Sequence, residues 1–460
     1  MSRTILPVLV VIALVAGCAS SSKLSKKSEE KLANGDAWRA WDLATRALDK
    51  EPGNPRARDA ATKAGAAIAL EWQRKIHALA EVDSVNAAEE VLKLADFRVQ
   101  AARYATIPVG AEWPEEDHTL RHAAARAHYQ SGLDAANANR PKKAYAEFTD
   151  ALRFDGAYRD AAKRAERAQN EALTRVALVP FRTTSSDPSM GAQVAQAWQD
   201  DLIQGLAPGD APFTRIVSGD AIKRSMTVAD MDGISREDAV RIGRRMGAQR
   251  IVWGTVGPVR STTRLNLFSD RVARRVTVKD SEGHETTSWV DVPIEVVARV
   301  REVNAGIDYE IIETASGTSV VHRHLDRNTT ARAVWTSYEP EGDIGSYALV
   351  SDPERSAHPD HARNIEARWK SACGDAVTLA QVLEARRTSG PRDSGHEMRD
   401  AVTRFATGAA FVFLEELPSA EDLALGTLSR GSGPLHDDLL KLDALDDADL
   451  GVSLPDATSR

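Results

Sequence analysis

Residues 239–256 read AVRIGRRMGAQRIVWGTV, and this stretch decides the fold of the central part of the chain. Ile242 and Met246 lie one helical turn apart, and Gly247 directly follows the second of them. A glycine just after an apolar helical stripe is the usual end of a helix, because it adopts the left-handed conformation without strain. Residues 250–256 then have the apolar composition of a buried strand. The stretch therefore predicts a helix that leads directly into a strand.

The residues before this stretch extend the same pattern. Ser235 and Asp238 predict a capping box at the start of the helix. Residues 176–181, VALVPF, predict another buried strand, and 213–217 predict a third. An apolar stripe from 194 to 206 predicts a helix between those two strands. Alternating strands and helices are typical of a layered α/β domain, and we place it at residues 174–258.

This order of elements resembles the CsgG-like family of curli assembly and the related N-terminal domain of TolB. The resemblance rests on VALVPF at 176–181, LIQGL at 202–206, FTRIV at 213–217 and AVRIGRRMGAQRIVWGTV at 239–256. It covers about a fifth of the chain. Members of these families are mostly non-catalytic envelope proteins. The resemblance therefore implies binding or assembly rather than catalysis.

The overall composition is that of a globular protein. Of the 460 residues, 42% are hydrophobic and 27% are charged, which excludes a wholly disordered chain and a polytopic membrane protein. The 59 basic and 67 acidic residues give a net charge of −8. A mildly acidic chain is a poor binder of nucleic acid, so we expect no nucleic-acid partner.

The first 17 residues predict a bacterial signal peptide. Arg3 precedes an apolar run at 5–16, which is shorter than the roughly 20 residues that span a bilayer. The run ends in a pattern that resembles the lipobox of bacterial lipoproteins, Val15, Ala16, Gly17 and Cys18. The resemblance implies cleavage before Cys18 and lipid attachment to its thiol. The alternative is an ordinary signal peptide with a chance cysteine.

A lipobox implies a membrane anchor, followed here by a linker at 18–23. Ala19 follows the cysteine, and in bacteria that sort lipoproteins by this residue it implies the outer membrane. We therefore expect an outer-membrane lipoprotein that faces the periplasm. With Cys18 lipidated, Cys373 has no cysteine left to pair with, and we expect it to be a buried structural residue.

Residues 24–172 predict a helical region with two stretches that resemble tetratricopeptide repeats. Small residues let paired helices approach closely, and an aromatic ring fills the gap between them. The alanines at 40 and 144 are 104 residues apart, close to three repeat periods of about 34. We expect an α-solenoid of about three degenerate units, and the alternative is a plain helical spacer or bundle. The repeat-packing candidates are Ala40 and Ala47 in the first stretch and Gly132, Ala144, Phe148 and Ala151 in the second.

Three further segments follow the α/β domain. Residues 259–345 alternate apolar and polar positions and predict a β-rich segment, either a soluble sheet with one wet face or a hairpin that inserts in a membrane. Residues 346–417 predict helices, with an apolar face that runs from Met398 to Phe413. Residues 418–460 are acidic, and we expect them to be a disordered tail, or else a segment that docks on a basic partner.

Motifs for chemistry are sparse. The chain has no glycine-rich phosphate loop, no G-x-S-x-G and no H-E-x-x-H. Two histidine pairs have spacings that could hold a metal, but neither has a convincing third ligand nearby, so we expect no metal and no cofactor. The pairs are His322 with His324, and His358 with His361.

These features predict an α+β multidomain protein that consists of an N-terminal α-solenoid, a central α/β layered domain, and a β-rich segment with C-terminal helices. The expected function is a non-catalytic scaffold or accessory factor for an envelope assembly, which binds envelope proteins through the helical repeats. The alternative is a curli-type oligomeric secretion pore, which would make the chain a homo-oligomer. A third class, an envelope hydrolase, has no recognisable motif to support it.

Overall fold

The computed structural model describes residues 20–207, 209–226, 234–279, 281, 283–388, 394–444 and 446. The chain divides into two compact units, residues 1–172 and 173–460. The first is helical and the second is built on one mixed sheet, so the mixed α/β class is confirmed. The three segments predicted after residue 258 belong to the same compact unit as the α/β region.

In the part of the first unit that the structure describes, seven helices follow one another. Each helix packs against the next one in the sequence. The first begins at Ser21, inside the predicted linker 18–23, because Ser20 caps it and Leu24 is buried. The helices are α1 Ser21–Ala33, α2 Ala37–Lys50, α3 Pro55–Ala80, α4 Ser84–Ala101, α5 Trp113–Asn137, α6 Pro141–Phe154 and α7 Ala161–Ala172.

A mixed sheet of eight strands forms the centre of the second unit, counted over the described residues. β1 lies between β3 and β4 and is parallel to both, which is the arrangement that strand–helix–strand crossovers produce. The strands are β1 Thr174–Leu178, β2 Arg182–Thr183, β3 Thr214–Ile216, β4 Arg250–Val256, β5 Arg260–Lys279, β6 Glu285–Glu313, β7 Ser319–Thr336 and β8 Tyr347–Ala348.

The helix that precedes β4 begins and ends where the sequence predicts. The side chain of Ser235 accepts a hydrogen bond from the backbone N–H of Asp238, so the predicted N-terminal cap is confirmed. Gly247 has a φ of 63° and ends the helix in the left-handed conformation. Local sequence chemistry therefore fixes both ends of this element.

β5, β6 and β7 form a long antiparallel ribbon. β6 pairs with β5 from Glu285 to Asn304 and with β7 from Val296 onwards. The alternation along β6 is confirmed, since Ile294 and Val296 are buried while Glu295 is exposed. The predicted β-rich segment is thus a pair of long hairpins within the larger sheet.

Helices cover both faces of this sheet. On one face, α8 Met190–Gly205, α14 Ser394–Ala406, α15 Ala420–Leu428 and α16 Gly433–Asp443 contribute to one hydrophobic core with β1 and β6. On the other face, α9 Gly219–Arg224 and α10 Arg236–Met246 cover one end, while α12 Pro359–Cys373 and α13 Leu379–Thr388 cover the other. The short helix α11 Asp352–Ala357 precedes α12.

The apolar face predicted from Met398 to Phe413 is wrong in its second half. α14 ends at Ala406, and Gly408 has a φ of 96°, which continues no helix. Val412 instead forms a parallel bridge to Ala333 at the outer edge of β7. The period of the apolar residues did not distinguish a helix from an extended segment, in which Val412 joins the core of α14 and Phe413 packs against the core on the other face of the sheet.

The predicted disordered tail at 418–460 is wrong for residues 420–443, which form α15 and α16. The leucines of these helices enter the core on the face that includes α8, and Leu435, Leu439 and Leu442 are fully buried. Two acidic residues of α16, Asp438 and Asp443, are buried as well, and so is Asp446 after the helix. Residues 447–460 lie outside the described residues.

Both buried carboxylates of α16 have specific partners. Asp438 accepts two hydrogen bonds from Arg323 at 2.5 and 2.6 Å and one from the hydroxyl of Tyr309 at 2.8 Å. Burial, reinforced by the hydrogen bond to Asp438, raises the pKa of Tyr309, so its phenol stays protonated and donates. Asp443 accepts hydrogen bonds from the hydroxyl of Thr214 at 2.6 Å and from the backbone N–H of Phe213 at 3.1 Å. These hydrogen bonds therefore attach α16 to strands β3, β6 and β7.

We expect Asp438→Ala to destabilise the second unit by about 3–5 kcal/mol, because it leaves Arg323 and the buried Tyr309 hydroxyl without their acceptor. Asp437→Ala is the matched control, since the Asp437 side chain is 70% exposed in the same turn of α16. We expect it to change stability by less than about 0.5 kcal/mol. Urea unfolding followed by circular dichroism measures both, and equal midpoints for the two variants would contradict the assignment.

Candidate protein-interaction surface

The predicted lipidation site lies outside the described residues. Val15, Ala16, Gly17, Cys18 and Ala19 all precede residue 20, where the description begins. The lipid anchor therefore stays a prediction from the sequence. In the described part of the chain, no helix combines the length and the apolar composition that a bilayer crossing requires.

All six predicted repeat-packing residues are buried between helices. Ala40 and Ala47 lie on α2, Gly132 lies on α5, and the other three lie on α6. Their burial means that these residues set the spacing between helices and offer no surface to a partner. The fully buried members are Ala40, Ala47, Ala144, Phe148 and Ala151.

A close approach between α5 and α6 depends on Gly132. A methyl group added at this position would lie 2.7 Å from the ring of Phe148, which is too close for any real side chain. In the first helix pair, Ser28 has the same relation to Ala40 as Gly132 has to Ala144, again at an offset of 104 residues. The Ser28 hydroxyl donates to the carbonyl of Ala40 at 2.7 Å. Small residues therefore bring the helices together at both places, and sequence analysis missed Ser28.

A cluster of aromatic side chains joins α2, α3 and α4. The ring centroids of Trp38 lie 5.8 Å from Trp72 and 5.5 Å from Phe97, both edge to face. Trp41 contacts the same phenylalanine at 5.4 Å and Tyr104 at 6.2 Å. Such pairs favour one fixed geometry. Sequence analysis did not select Trp38 or Trp41, although three of the nine tryptophans occur between residues 38 and 72 in a chain with only 5% aromatic residues.

The carboxylate of Glu90 is held beside this cluster by three donors. The indole N–H of Trp72 donates at 2.8 Å, and the ammonium groups of Lys75 and Lys93 each lie at 2.9 Å. These contacts, led by the one with Lys75, lower the pKa of Glu90 to about 2. Glu90 is therefore ionised at any physiological pH, and it fixes the orientation of the Trp72 ring.

An open groove of about 410 Å³ lies over these residues, and we call it the Trp38 groove. Its apolar wall consists of Trp38, Ile68 and Trp72, and its polar rim consists of Glu71, Lys75 and Glu90. The side chain of Trp38 is 51% exposed, although the rings of Trp72 and Phe97 pack against it. An exposed, rigid tryptophan over a groove is the kind of anchor found at binding hot spots.

Of the histidines considered for metal binding, His324 has two carboxylate partners. His324 lies between two carboxylates, with Nδ1 2.7 Å from Asp308 and Nε2 3.2 Å from Asp326. The bond to Asp308 is the main cause of the raised pKa of His324. His322 lies opposite Glu310 in the sheet, and His358 and His361 lie at the start of α12. Within the described ranges, no group of three or more His, Cys, Asp or Glu residues could hold a metal ion.

Two further features of the second unit are a buried cysteine and an open cavity. Cys373 is fully buried, and burial raises the pKa of its thiol to about 12, so the thiol stays protonated and unreactive. A second cavity of about 420 Å³ lies at the amino ends of β1 and β4. Its Arg244 already donates to the carbonyls of Thr314 and Ala315, and it therefore ties down the turn after β6.

No protein-family model and no curated protein matches the chain.

We expect Gly132→Ala to destabilise the first unit by about 1–3 kcal/mol, because the new methyl group collides with the buried ring of Phe148. The loss should appear although alanine is intrinsically the better helix former by about 1 kcal/mol. Gly156→Ala is the matched control, since the nearest atom there is 3.9 Å away and the site can accept a methyl group.

Thermal unfolding of the three proteins measures this difference. Adding Phe148→Leu to Gly132→Ala should recover part of the lost stability, because the smaller side chain gives way to the methyl group. A Gly132→Ala protein as stable as the Gly156→Ala protein would show that the helices do not approach as closely as described.

Proposed function

We propose that the chain is a lipoprotein of the outer membrane that faces the periplasm and binds envelope proteins as a non-catalytic scaffold or accessory factor. The lipobox at residues 15–18 supports the anchor, and Ala19 supports the outer membrane. Several acyl chains on one cysteine would give lasting attachment, which a single chain does not. The anchor would keep the helical unit close to the membrane and to the envelope proteins there.

The observation that carries the proposal is the construction of the helical unit. Each described helix packs on the next one in the sequence, and small residues recur at the helix contacts with an offset of 104 residues. Both features support a tetratricopeptide-like α-solenoid, and such repeats expose an extended surface for partners. The Trp38 groove lies on this unit and gives that surface a rigid aromatic anchor.

The titratable groups with large pKa shifts support a non-catalytic role. Glu90 is bound by Trp72 and two lysines, and Tyr309 donates to Asp438. Tyr338 is partly buried beside the hydroxyl of Tyr347, at 3.1 Å, and Cys373 is buried as a neutral thiol. A catalytic group needs a shifted pKa together with access to a substrate. Here packing and internal hydrogen bonds account for each shift.

A second candidate function is an oligomeric secretion pore of the curli type, and one feature favours it. Residues 275–279 of β5 and 285–289 of β6 extend past the pairings with β7 and β8, as a two-stranded ribbon. One face of this ribbon carries Val276 and Val278, with Ser288 and Thr286 opposite them, and Val278 is 51% exposed. A pore would require a ring of many copies, so the mass of the native particle in detergent separates the two functions.

Replacing Cys18 tests the anchor. We expect Cys18→Ala to release the protein into the soluble periplasm or to leave an uncleaved precursor, because the side chain that takes the lipid is gone. Fractionation of cells followed by intact mass measurement reads out both results. Cys373→Ala is the matched control and should stay in the membrane fraction at full mass. A Cys18→Ala product of mature size in the membrane would contradict the lipobox.

Removing residues 24–172 tests the site of partner binding. The shortened chain should keep its anchor and the fold of residues 173–460, and it should lose the envelope proteins that crosslink to the full chain in living cells. Proteolysis kinetics of the second unit serve as the folding control. If the shortened chain captures the same proteins, the helices are only a spacer and binding belongs to the sheet unit. Rings formed by the shortened chain would favour the pore.

A further inference from the structure

Three charged residues line the Trp38 groove, the carboxylates of Glu71 and Glu90 and the ammonium group of Lys75. Lys75 pairs with Glu90, which also pairs with Lys93, a residue that does not line the groove. Glu71 lies one helical turn before Lys75 on the rim and is exposed. Within the described residues its carboxylate forms no ion pair. The groove therefore offers an exposed tryptophan ring and a carboxylate that lacks a cation.

Both features favour a cation in the groove. The face of a tryptophan ring carries partial negative charge and attracts ammonium and guanidinium groups more strongly than the other aromatic side chains do. Glu71 adds a full negative charge on the same groove. An anion would be repelled by the two carboxylates of the lining and by the ring face, and the one cation of the lining, Lys75, already pairs with Glu90. The charge pattern thus selects a basic side chain over an acidic one.

The size of the groove indicates more than a single side chain. Its volume of about 410 Å³ falls within the range of sites for small ligands, about 300–1,000 Å³. Trp72 is partly exposed and provides apolar surface beside the charged rim, whereas Ile68 is buried. Two adjacent side chains of one extended segment, one basic and one apolar, would match both parts of this lining.

We propose that the Trp38 groove binds an arginine or lysine side chain of a partner protein, between the Trp38 ring and the Glu71 carboxylate, with an adjacent apolar side chain against Trp72. This proposal rests on the proposed function, since it names the chemistry of the segment that the helical unit binds. It assigns the selective roles to Trp38 and Glu71, whereas Glu90 positions Trp72.

A pair of dye-labelled peptides tests the charge requirement. The probe is the sequence Gly-Arg-Leu-Gly, and the control replaces arginine by citrulline, which has the same shape without the charge. Fluorescence anisotropy with the full chain in detergent measures both affinities. We expect the arginine peptide to bind about tenfold more tightly, as a cation beside tryptophan and a carboxylate requires. Equal affinities, or no binding of the arginine peptide, would overturn the proposal.

Variants of the groove locate the binding. Trp38→Leu keeps an apolar side chain without the aromatic face, and Glu71→Gln removes the charge from an exposed side chain. Each should weaken the arginine peptide by about fivefold to tenfold and leave the citrulline peptide nearly unchanged. Leu70→Ala is the matched control, because Leu70 is 50% exposed on the same helix and does not line the groove. Unchanged arginine binding by Glu71→Gln would overturn the proposal even if Trp38→Leu loosened the cluster.

Crosslinking in cells separates this proposal from the proposed function. If removal of residues 24–172 abolishes capture while Trp38→Leu and Glu71→Gln keep the same partners, the helical unit binds elsewhere and only the groove assignment fails. If the shortened chain keeps its partners, the proposed function fails, and the peptide affinities still decide whether the groove selects a cation.

Discussion

The sheet unit depends on a carboxylate that cannot stay buried alone. Asp438 is 3% exposed, and an ionised group at that depth costs several kcal/mol unless it is paired. Arg323 on β7 and Tyr309 on β6 provide that pairing, while Asp443 adds a second attachment to β3. The leucines between these two aspartates fill the core beneath α8. Hydrophobic burial draws α16 onto the sheet, and the two carboxylates define a single position for it, because any shift along the strands would leave them unpaired.

The helical unit is held together differently, because its closest helix contacts are made by small side chains and not by buried ion pairs. Gly132 admits the ring of Phe148, whereas the equivalent pair in the first hairpin uses Ser28 and a hydrogen bond to Ala40. Alanine-rich contacts bury little area per residue, so stability must come from many such contacts in series. The aromatic cluster around Phe97 is the exception, and it concentrates rigidity on α2, α3 and α4, where the Trp38 groove lies.

Local signals in the sequence predicted what they physically control. The cap at Ser235, the end at Gly247 and strand β4 follow from contacts within a few residues, and all three agree with the structure. The wrong predictions concern residues whose contacts are made with residues far away in the sequence. The acidic segment after 418 has the composition of a disordered tail, but Asp438 is satisfied by Arg323, which is 115 residues away in the sequence. Likewise, Trp38 and Glu90 become a site only when three helices meet, and no spacing in the sequence encodes that meeting.

These observations distinguish two uses of charge in one chain. In the sheet unit, Asp438 and Asp443 are buried and hydrogen-bonded, so they define the position of α16 and are inaccessible to ligands. In the helical unit, Glu90 is paired in the same way, but Glu71 beside it is exposed and has no ion-pair partner among the described residues. A carboxylate that forms no ion pair within the folded protein is available to attract a cation of a partner. A carboxylate that is already paired within the fold attracts an external cation less. Recognition is therefore expected where a rigid apolar wall stands next to an unmatched charge, and the Trp38 groove has both.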